Sequence, residues 1–424
     1  MKDISSDACG TSGSATTTRA ADDASPDPGD GCRPIAIFTW GLSYGAFANL
    51  CPALAGGIAA AGGGPVDLLY LSVGPGETVA VPPGVRLVRL GVRRAATAPI
   101  ALIRYLRRER PRALVTMPTF VTLPALLAHR LAGRKVRRDT RFVMHQGETM
   151  SNDVDIDHAW NSRLQVMPFL AKRWFPWADA LTASAPGVLD LLRHDGVPVP
   201  HGRAAVIANP VDVDARRRAA DDPPSHPWIS GKTGPVVTTL GRLVKRKNHP
   251  LLLHAIADIR RTGVDARLVI FGQGPELKAC KAEAARLGLS EVVAFAGFVP
   301  NPFADIARSD LFVMSSVDEA FCLALVEAMA CGVPVVSTDS VGGGPRFVLT
   351  GDGGPASPVG SDAEVLGAAL VPLDDGTALA ATMRRVLTDP AFQAALAGAA
   401  RRRADDFSPT AVGRQWSTFV DSLA

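Results

Sequence analysis

Twelve short runs rich in β-branched and aliphatic residues, separated by longer stretches with helical spacing, constrain this chain more than any other feature. Seven fall at 35–39, 66–72, 85–90, 113–116, 141–145, 180–183 and 204–207, and five at 236–240, 267–271, 292–296, 311–314 and 333–337. Between the later runs apolar residues recur at helical spacing, as at Leu277, Cys280, Ala284 and Leu287. Strands alternating with helices predict parallel sheets, because a parallel pair needs a crossover long enough to hold a helix. Two such series predict an α/β chain of two Rossmann-like, doubly wound domains. The 424 residues suffice for two cores of about 180 residues each. A polar stretch at 209–234, holding Asp221-Asp222-Pro223-Pro224 and Pro227, reads as the linker. The domains are therefore placed at 33–212 and 213–405.

Both ends differ from this pattern. Residues 1–32 are polar, small and acidic, which predicts a disordered tail. They contain no apolar segment of the kind a secretory leader needs, and no run approaches the ~18 apolar residues of a membrane span. In 406–424, Ser408-Pro409 starts a helix whose Val412, Trp416, Phe419, Val420 and Leu423 share one face. That face must dock, and the first domain is the expected partner. Six cysteines form no CxxC pair and have no histidine at zinc spacing, so reduced thiols in a cytoplasmic protein are expected, with no metal bound through them.

Charge is unevenly distributed. Residues 34–212 hold 20 Lys and Arg against 12 Asp and Glu, whereas 213–424 hold 22 against 23. Within 86–141, 15 basic residues face only Glu109 and Asp139. Solvated helix faces account for this; so does an anionic membrane surface or acceptor meeting the first domain. Trp160 to Trp177, where three tryptophans, Phe169 and Phe175 mix with Arg163, Lys172 and Arg173, suits either a membrane interface or a buried helix pair.

Three strand-to-helix junctions in the second half carry chemistry. Gly241-Arg242-Leu243-Val244-Lys245-Arg246-Lys247-Asn248 follows a strand and precedes a helix, where backbone amides and fixed cations make an anion site. Phe271-Gly272-Gln273-Gly274-Pro275-Glu276 is a tight turn whose glycines let backbone approach a neighbour or a ligand. Glu319 and Glu327 stand eight positions apart, the first in a loop and the second in the following helix. A carboxylate there can accept two vicinal hydroxyls, as on a ribose. It does not suit a glycosidase pair, whose carboxylates flank the scissile bond.

Together these motifs resemble the retaining family 4 glycosyltransferases of the GT-B fold, in which two Rossmann-like domains face each other across a cleft. The resemblance spans 35–424 and rests on GRLVKRKN, GQGPE, GFVPNP at 297–302, EAFCLALVE, CGVPVVSTD, Gly343-Gly344-Pro345-Arg346 and the linker Asn209-Pro210-Val211-Asp212. It implies a donor site in which Arg242 and Lys247, with Gly241, hold a diphosphate and Glu327 holds the ribose. Glu319 and the amides of Phe321, Cys322 and Leu323 face the donor sugar, with Gly272 and Gly274 alongside. Gly297, Phe298 and Val299 would lie near the nucleobase. From the first domain, Gly41 would border the donor and His145 would bond a sugar hydroxyl. His145, Glu319, Arg242 and Lys247 are thereby the catalytic set.

Two departures mark this chain. Cys322 stands where the family usually has glycine, and the loop Trp40–Ala46 lacks the usual glycine pair. The implied activity is retaining transfer of a hexose or N-acetylhexosamine from a nucleoside-diphosphate sugar, UDP-linked by preference, to a lipid-linked or saccharide acceptor. This fits surface polysaccharide, lipopolysaccharide or glycolipid synthesis in bacteria. No obligatory metal is expected, because fixed cations stand at the diphosphate, and no nucleic-acid partner. The expected location is cytoplasmic, peripheral on the inner face of the membrane. The alternatives are a nucleotide-sugar epimerase of the same fold and a non-catalytic binding partner.

Overall fold

The computed structural model describes residues 33–42, 46–71, 81–92, 97–147, 167–199, 203–351 and 360–423. The tail at 1–32, part of the Trp40–Ala46 loop, the acidic Asp153, Asp155 and Asp157, and half of the tryptophan-rich stretch lie outside them.

Two parallel sheets form. The first contains β1 (Ile35–Phe38), β2 (Val66–Tyr70), β3 (Val85–Arg89), β4 (Ala113–Thr116), β5 (Arg141–Gln146), β6 (Ala180–Ala183) and β7 (Ala204–Val206), in the order β3-β2-β1-β4-β5-β6-β7. The second contains β8 (Val236–Leu240), β9 (Arg267–Phe271), β10 (Val293–Gly297), β11 (Leu311–Met314), β12 (Val335–Thr338) and β13 (Leu370–Val371), in the order β10-β9-β8-β11-β12-β13. Strands β1, β4, β6, β11 and β12 are buried at every position, as expected where helices cover both faces. Each sheet reverses its winding once, between β1 and β4 and between β8 and β11. Loops leaving the C-terminal ends of strands at such a point splay apart and open a crevice.

The last helix, Pro409–Asp421, leaves the second domain and lies on the helix Ala46–Ala60 of the first. Their crossing is close enough to require two glycines. A Cβ on Gly57 would stand 2.0 Å from the Pro409 carbonyl oxygen, and one on Gly413 would stand 2.1 Å from the Gly57 carbonyl. Trp416 is wholly buried there, its ring 5.5 Å from that of His145. An Arg112–Asp421 ion pair and a bond from Arg141 Nε to the Leu423 carbonyl at 2.7 Å fasten the end. The chain thus passes between domains twice, and Val211 N donates to the Phe407 carbonyl at 2.9 Å where the passages run side by side.

This topology explains where the basic excess gathers. Helices of a parallel sheet run back against the strands, so all their C-termini collect at the edge where strands begin, opposite the crevice. Cations are favoured at helix C-termini, and the last turns of the first-domain helices carry Arg107 and Arg108, Arg130, Arg137 and Arg138, Lys172 and Arg173, and Arg193. Several cap carbonyls: Arg107 Nε donates to Ala132 at 3.1 Å, and Arg137 Nη1 to Arg130 at 2.5 Å. Much of the charge in 86–141 is therefore bound into the fold, on the far side of the domain from the crevice.

Candidate functional site

Strands β8 and β11 are hydrogen-bonded neighbours at the switch point of the second sheet, so the loops leaving them meet. These are the cation-rich loop after Leu240 and the loop holding Glu319. They form one wall of a cleft of about 440 Å³. Its opposite wall is Asn49, Leu50 and Ala53 from the helix Ala46–Ala60, with Gly147 after β5; its floor is the linker Asn209–Asp212 and Arg216.

Of the residues singled out in the sequence, Gly241, Arg242, Lys247, Glu319, Phe321, Cys322, Leu323 and Glu327 line this cleft together. Arg242 is exposed, and among the described residues its guanidinium has no hydrogen-bond partner, although its carbonyl accepts from Val244 N at 3.0 Å. Lys247 Nζ donates to Glu319 Oε1 in a short ion pair, both side chains largely shielded from solvent. Cys322 caps the helix Leu323–Ala330 in a left-handed conformation, φ +65°, ψ +63°. A side chain at that angle costs about 1–3 kcal/mol relative to relaxed backbone. The turn it makes aims the helix's N-terminal end, whose first amides lack intrahelical acceptors, at the cleft. The Cys322 thiol is pushed well above its ordinary range, by burial first and by the Glu319 charge second, so it is an apolar wall rather than a nucleophile.

Glu327 lies one helical turn deeper. Burial raises its carboxyl, and Arg216, which donates Nε to Glu327 Oε1 at 2.9 Å, opposes that shift.

Seven expected residues lie elsewhere, Gly297 among them. Gly272 and Gly274 do not border the cleft; they let the β9 turn lie against the cation loop from behind. A Cβ on Gly272 would stand 1.8 Å from the Gly241 oxygen, and one on Gly274 would stand 2.2 Å from the Leu243 oxygen. Leu243 N bonds the Gln273 carbonyl at 2.9 Å, and Glu276 N bonds Leu243 at 3.0 Å. Phe298 is 74% exposed, and neither it nor Val299 lines the cleft. Gly41 is likewise absent from the lining.

His145 is also displaced from its expected place, one layer behind the wall. Its Nε2 meets Asn209 Oδ1 at 2.9 Å and its Nδ1 meets Thr182 Oγ1 at 3.0 Å. Both ring nitrogens are engaged, and Asn209 and Gly147 stand between the ring and the cleft. Because Asn209 Oδ1 only accepts, Nε2 carries the proton. Burial depresses the imidazole to about 4, so it is neutral near pH 7.

Sequence reasoning did not single out Arg216, Asn209 as a side chain, or Asn49. Arg216 opens the run Arg216-Arg217-Arg218, which by itself reads as a solvated helix face. Among the described residues, no group of His, Cys, Asp and Glu is placed to hold a metal ion, and no helix is long and apolar enough to cross a membrane.

Comparison with known proteins meets this geometry. Residues 225–403 match the family Glycosyl transferases group 1. The chain is 27% identical over 317 residues, 74% of it and 79% of its relative, to N-acetylgalactosamine-N,N'-diacetylbacillosaminyl-diphospho-undecaprenol 4-alpha-N-acetylgalactosaminyltransferase of Campylobacter jejuni. It is 34% identical over 227 residues, 50% of it and 53% of its relative, to the GDP-mannose-dependent alpha-(1-6)-phosphatidylinositol monomannoside mannosyltransferase of Mycolicibacterium smegmatis. The fold matches Anabaena Alr3699/HepE in complex with UDP-glucose at TM-score 0.67 and 20% identity, covering 92% of this chain and 99% of that one. It also matches the lipopolysaccharide outer core galactosyltransferase WaaB at TM-score 0.63 and 15% identity, covering 92% and 100%. The two-sheet architecture shared over nine-tenths of its length gives this chain the GT-B fold, and its second domain carries the segment that matches the glycosyl transferases group 1.

Proposed function

We propose that the chain is a retaining hexosyltransferase of family 4, taking a hexose or N-acetylhexosamine from a nucleoside-diphosphate sugar, UDP-linked by preference, to a lipid-linked or saccharide acceptor. The observation that carries this is the meeting of Arg242, Lys247, Glu319, a helix N-terminus and Glu327 in one cleft, opposite a wall from the other domain. As the bond from the sugar to the diphosphate breaks, negative charge builds on the leaving phosphates. Arg242, Arg246 and Lys247 provide fixed positive charge at that wall, the kind of pre-placed electrostatics that lowers such barriers most. Lys247 must then turn from Glu319 to phosphate, freeing the carboxylate for sugar hydroxyls.

A UDP-linked donor is favoured by the fold shared with HepE, which binds UDP-glucose. A lipid-linked acceptor is favoured by relatives whose names specify diphospho-undecaprenol and phosphatidylinositol substrates. The basic edge gives the first domain a face for an anionic membrane. Because that face lies across the domain from the cleft, surface attachment and acceptor entry are separate events.

Calorimetric titration with UDP, GDP and ADP tests the donor site. Glu327→Ala should weaken the preferred nucleotide by roughly 10- to 150-fold, the equivalent of a hydrogen bond to a charged group at about 1.5–3 kcal/mol. Arg242→Ala should lower turnover with the fold intact, and activity should persist in excess EDTA. Both variants matching wild type would remove the donor from this cleft, and EDTA loss restored only by Mg²⁺ or Mn²⁺ would make a metal obligatory.

A further inference from the structure

Arg216 sits where the linker becomes the helix Val213–Asp221, and it is held on three sides. Its Nε donates to Glu327 Oε1 at 2.9 Å, its guanidinium lies 4.4 Å from the centre of the Phe303 ring, and its own carbonyl faces Cys331 Sγ at 3.9 Å. The two side chains of the pair are 17% and 18% exposed. Among the described residues nothing takes its Nη1 or Nη2, although the residue lines the cleft.

We propose that Arg216 is the positioning residue for nucleoside recognition: it occupies one oxygen of Glu327, leaves the other to the cleft, and sets its own η nitrogens beside it. This rests on the donor-site reading above. A ribose diol both donates and accepts hydrogen bonds, so a carboxylate oxygen next to a guanidinium edge complements it better than a carboxylate alone. The pair also decides the form in which Glu327 meets its ligand. A carboxyl buried this far ionises reluctantly without a counter-charge, and a protonated Glu327 would no longer offer two acceptors.

Arg216 is the charged group that faces this carboxylate most directly. On the same helix Cys331 follows one turn later, and Arg401, from the helix Pro390–Ala404, faces that thiol. Asp305, from the helix Phe303–Ala307, is turned away to Ser225 and the amide of His226. Arg217, next along the chain, pairs with Asp405. The Lys247–Glu319 pair and the cations Arg242 and Arg246 share the cleft wall.

The experiment measures UDP affinity against pH for wild type, Arg216→Met, Arg216→Lys and Glu327→Gln. It also records the protonated-carboxyl C=O stretch by infrared difference spectroscopy without ligand. Wild type and Arg216→Lys should bind equally from about pH 6 to about pH 8 and show no protonated-carboxyl band, because the counter-charge keeps Glu327 ionised. Arg216→Met should bind about tenfold more weakly at the acid end than at the alkaline end, and show a band that Glu327→Gln in the same background removes. Glu327→Gln alone should bind weakly and without pH dependence. A pH-independent loss in Arg216→Met with no band would reduce Arg216 to a packing role and overturn the proposal, as would unchanged binding. Failure of wild type to bind UDP, GDP or ADP would sink the donor-site reading, while the ligand-free infrared arm would still decide whether Arg216 holds Glu327 ionised.

Discussion

Gly272→Ala is the sharpest test of how the cation-rich wall of the cleft is built, because Gly272 is outside the cleft. Its φ is +134°, and an added methyl would stand 1.8 Å from the Gly241 oxygen, inside any tolerated contact. Either β9 or the cation loop must retreat by more than an ångström. Retreat strains Leu243 N to Gln273 O at 2.9 Å, Gly241 N to Phe271 O at 3.0 Å and Gly272 N to Gly297 O at 2.7 Å. Losing two such bonds at about 1 kcal/mol each, plus about 1–3 kcal/mol for the backbone angle, gives about 3–5 kcal/mol. Gly263→Ala is the control, since its φ is +91° but the space around it is open, so about 1 kcal/mol of angular strain is all it should show. Urea unfolding should separate the variants by about 2–4 kcal/mol, and calorimetry should show weakened UDP binding only in Gly272→Ala, because Arg242 rides on the displaced loop. Equal stabilities together with unchanged affinity would refute the claim that this turn braces the wall.

Two further outcomes follow from charge. Burial holds folded His145 near 4, below the ~6.5 of an unfolded imidazole, so its contribution is full above about pH 6.5 and is lost as pH falls toward 4. Two and a half units amount to about 3 kcal/mol. His249, also depressed to about 4, adds in the same direction, so His145→Gln should flatten part of the acid decline seen by urea unfolding at pH 7 and pH 5; an identical decline in both proteins would exonerate the ring. For the basic edge, Arg134 and Lys135 are exposed, and at about 1 kcal/mol each near an anionic surface their double replacement by Gln should reduce salt-sensitive sedimentation with anionic vesicles. Wild type ignoring both anionic and neutral vesicles at low salt would leave these residues as solvated surface charges.

Most strands were legible because they are short runs of β-branched and aliphatic residues; β3, Val-Arg-Leu-Val-Arg, is the mixed exception. β13 was not legible, since Leu370–Val371 gives too short a run to distinguish from the end of a helix. The cation-rich loop and the loop of Glu319 were grouped through the family resemblance, and the structure brings them to one wall because a switch point gathers whatever follows β8 and β11, across 70 or more positions of sequence. What failed was depth. Sequence shows that His145 ends a strand at the correct edge, but not that Asn209 would reach across and take its nitrogen. It shows glycines at 272 and 274, but not that their neighbour is another loop rather than a ligand. Arg216 was lost in a run of three arginines, since helical phase alone cannot say which one turns inward before the opposing carboxylate is placed.

The helix that crosses back to the first domain imposes an order on synthesis. Domains ordinarily fold as they leave the ribosome, the first before the second. Here the groove on the helix Ala46–Ala60 that receives Trp416 stays uncovered while the whole second domain is made, and Arg112 and Arg141 wait for Asp421 and Leu423. A helix made before the second domain is therefore completed by one made after it, and a message truncated after the second sheet would yield a first domain with an open apolar seam.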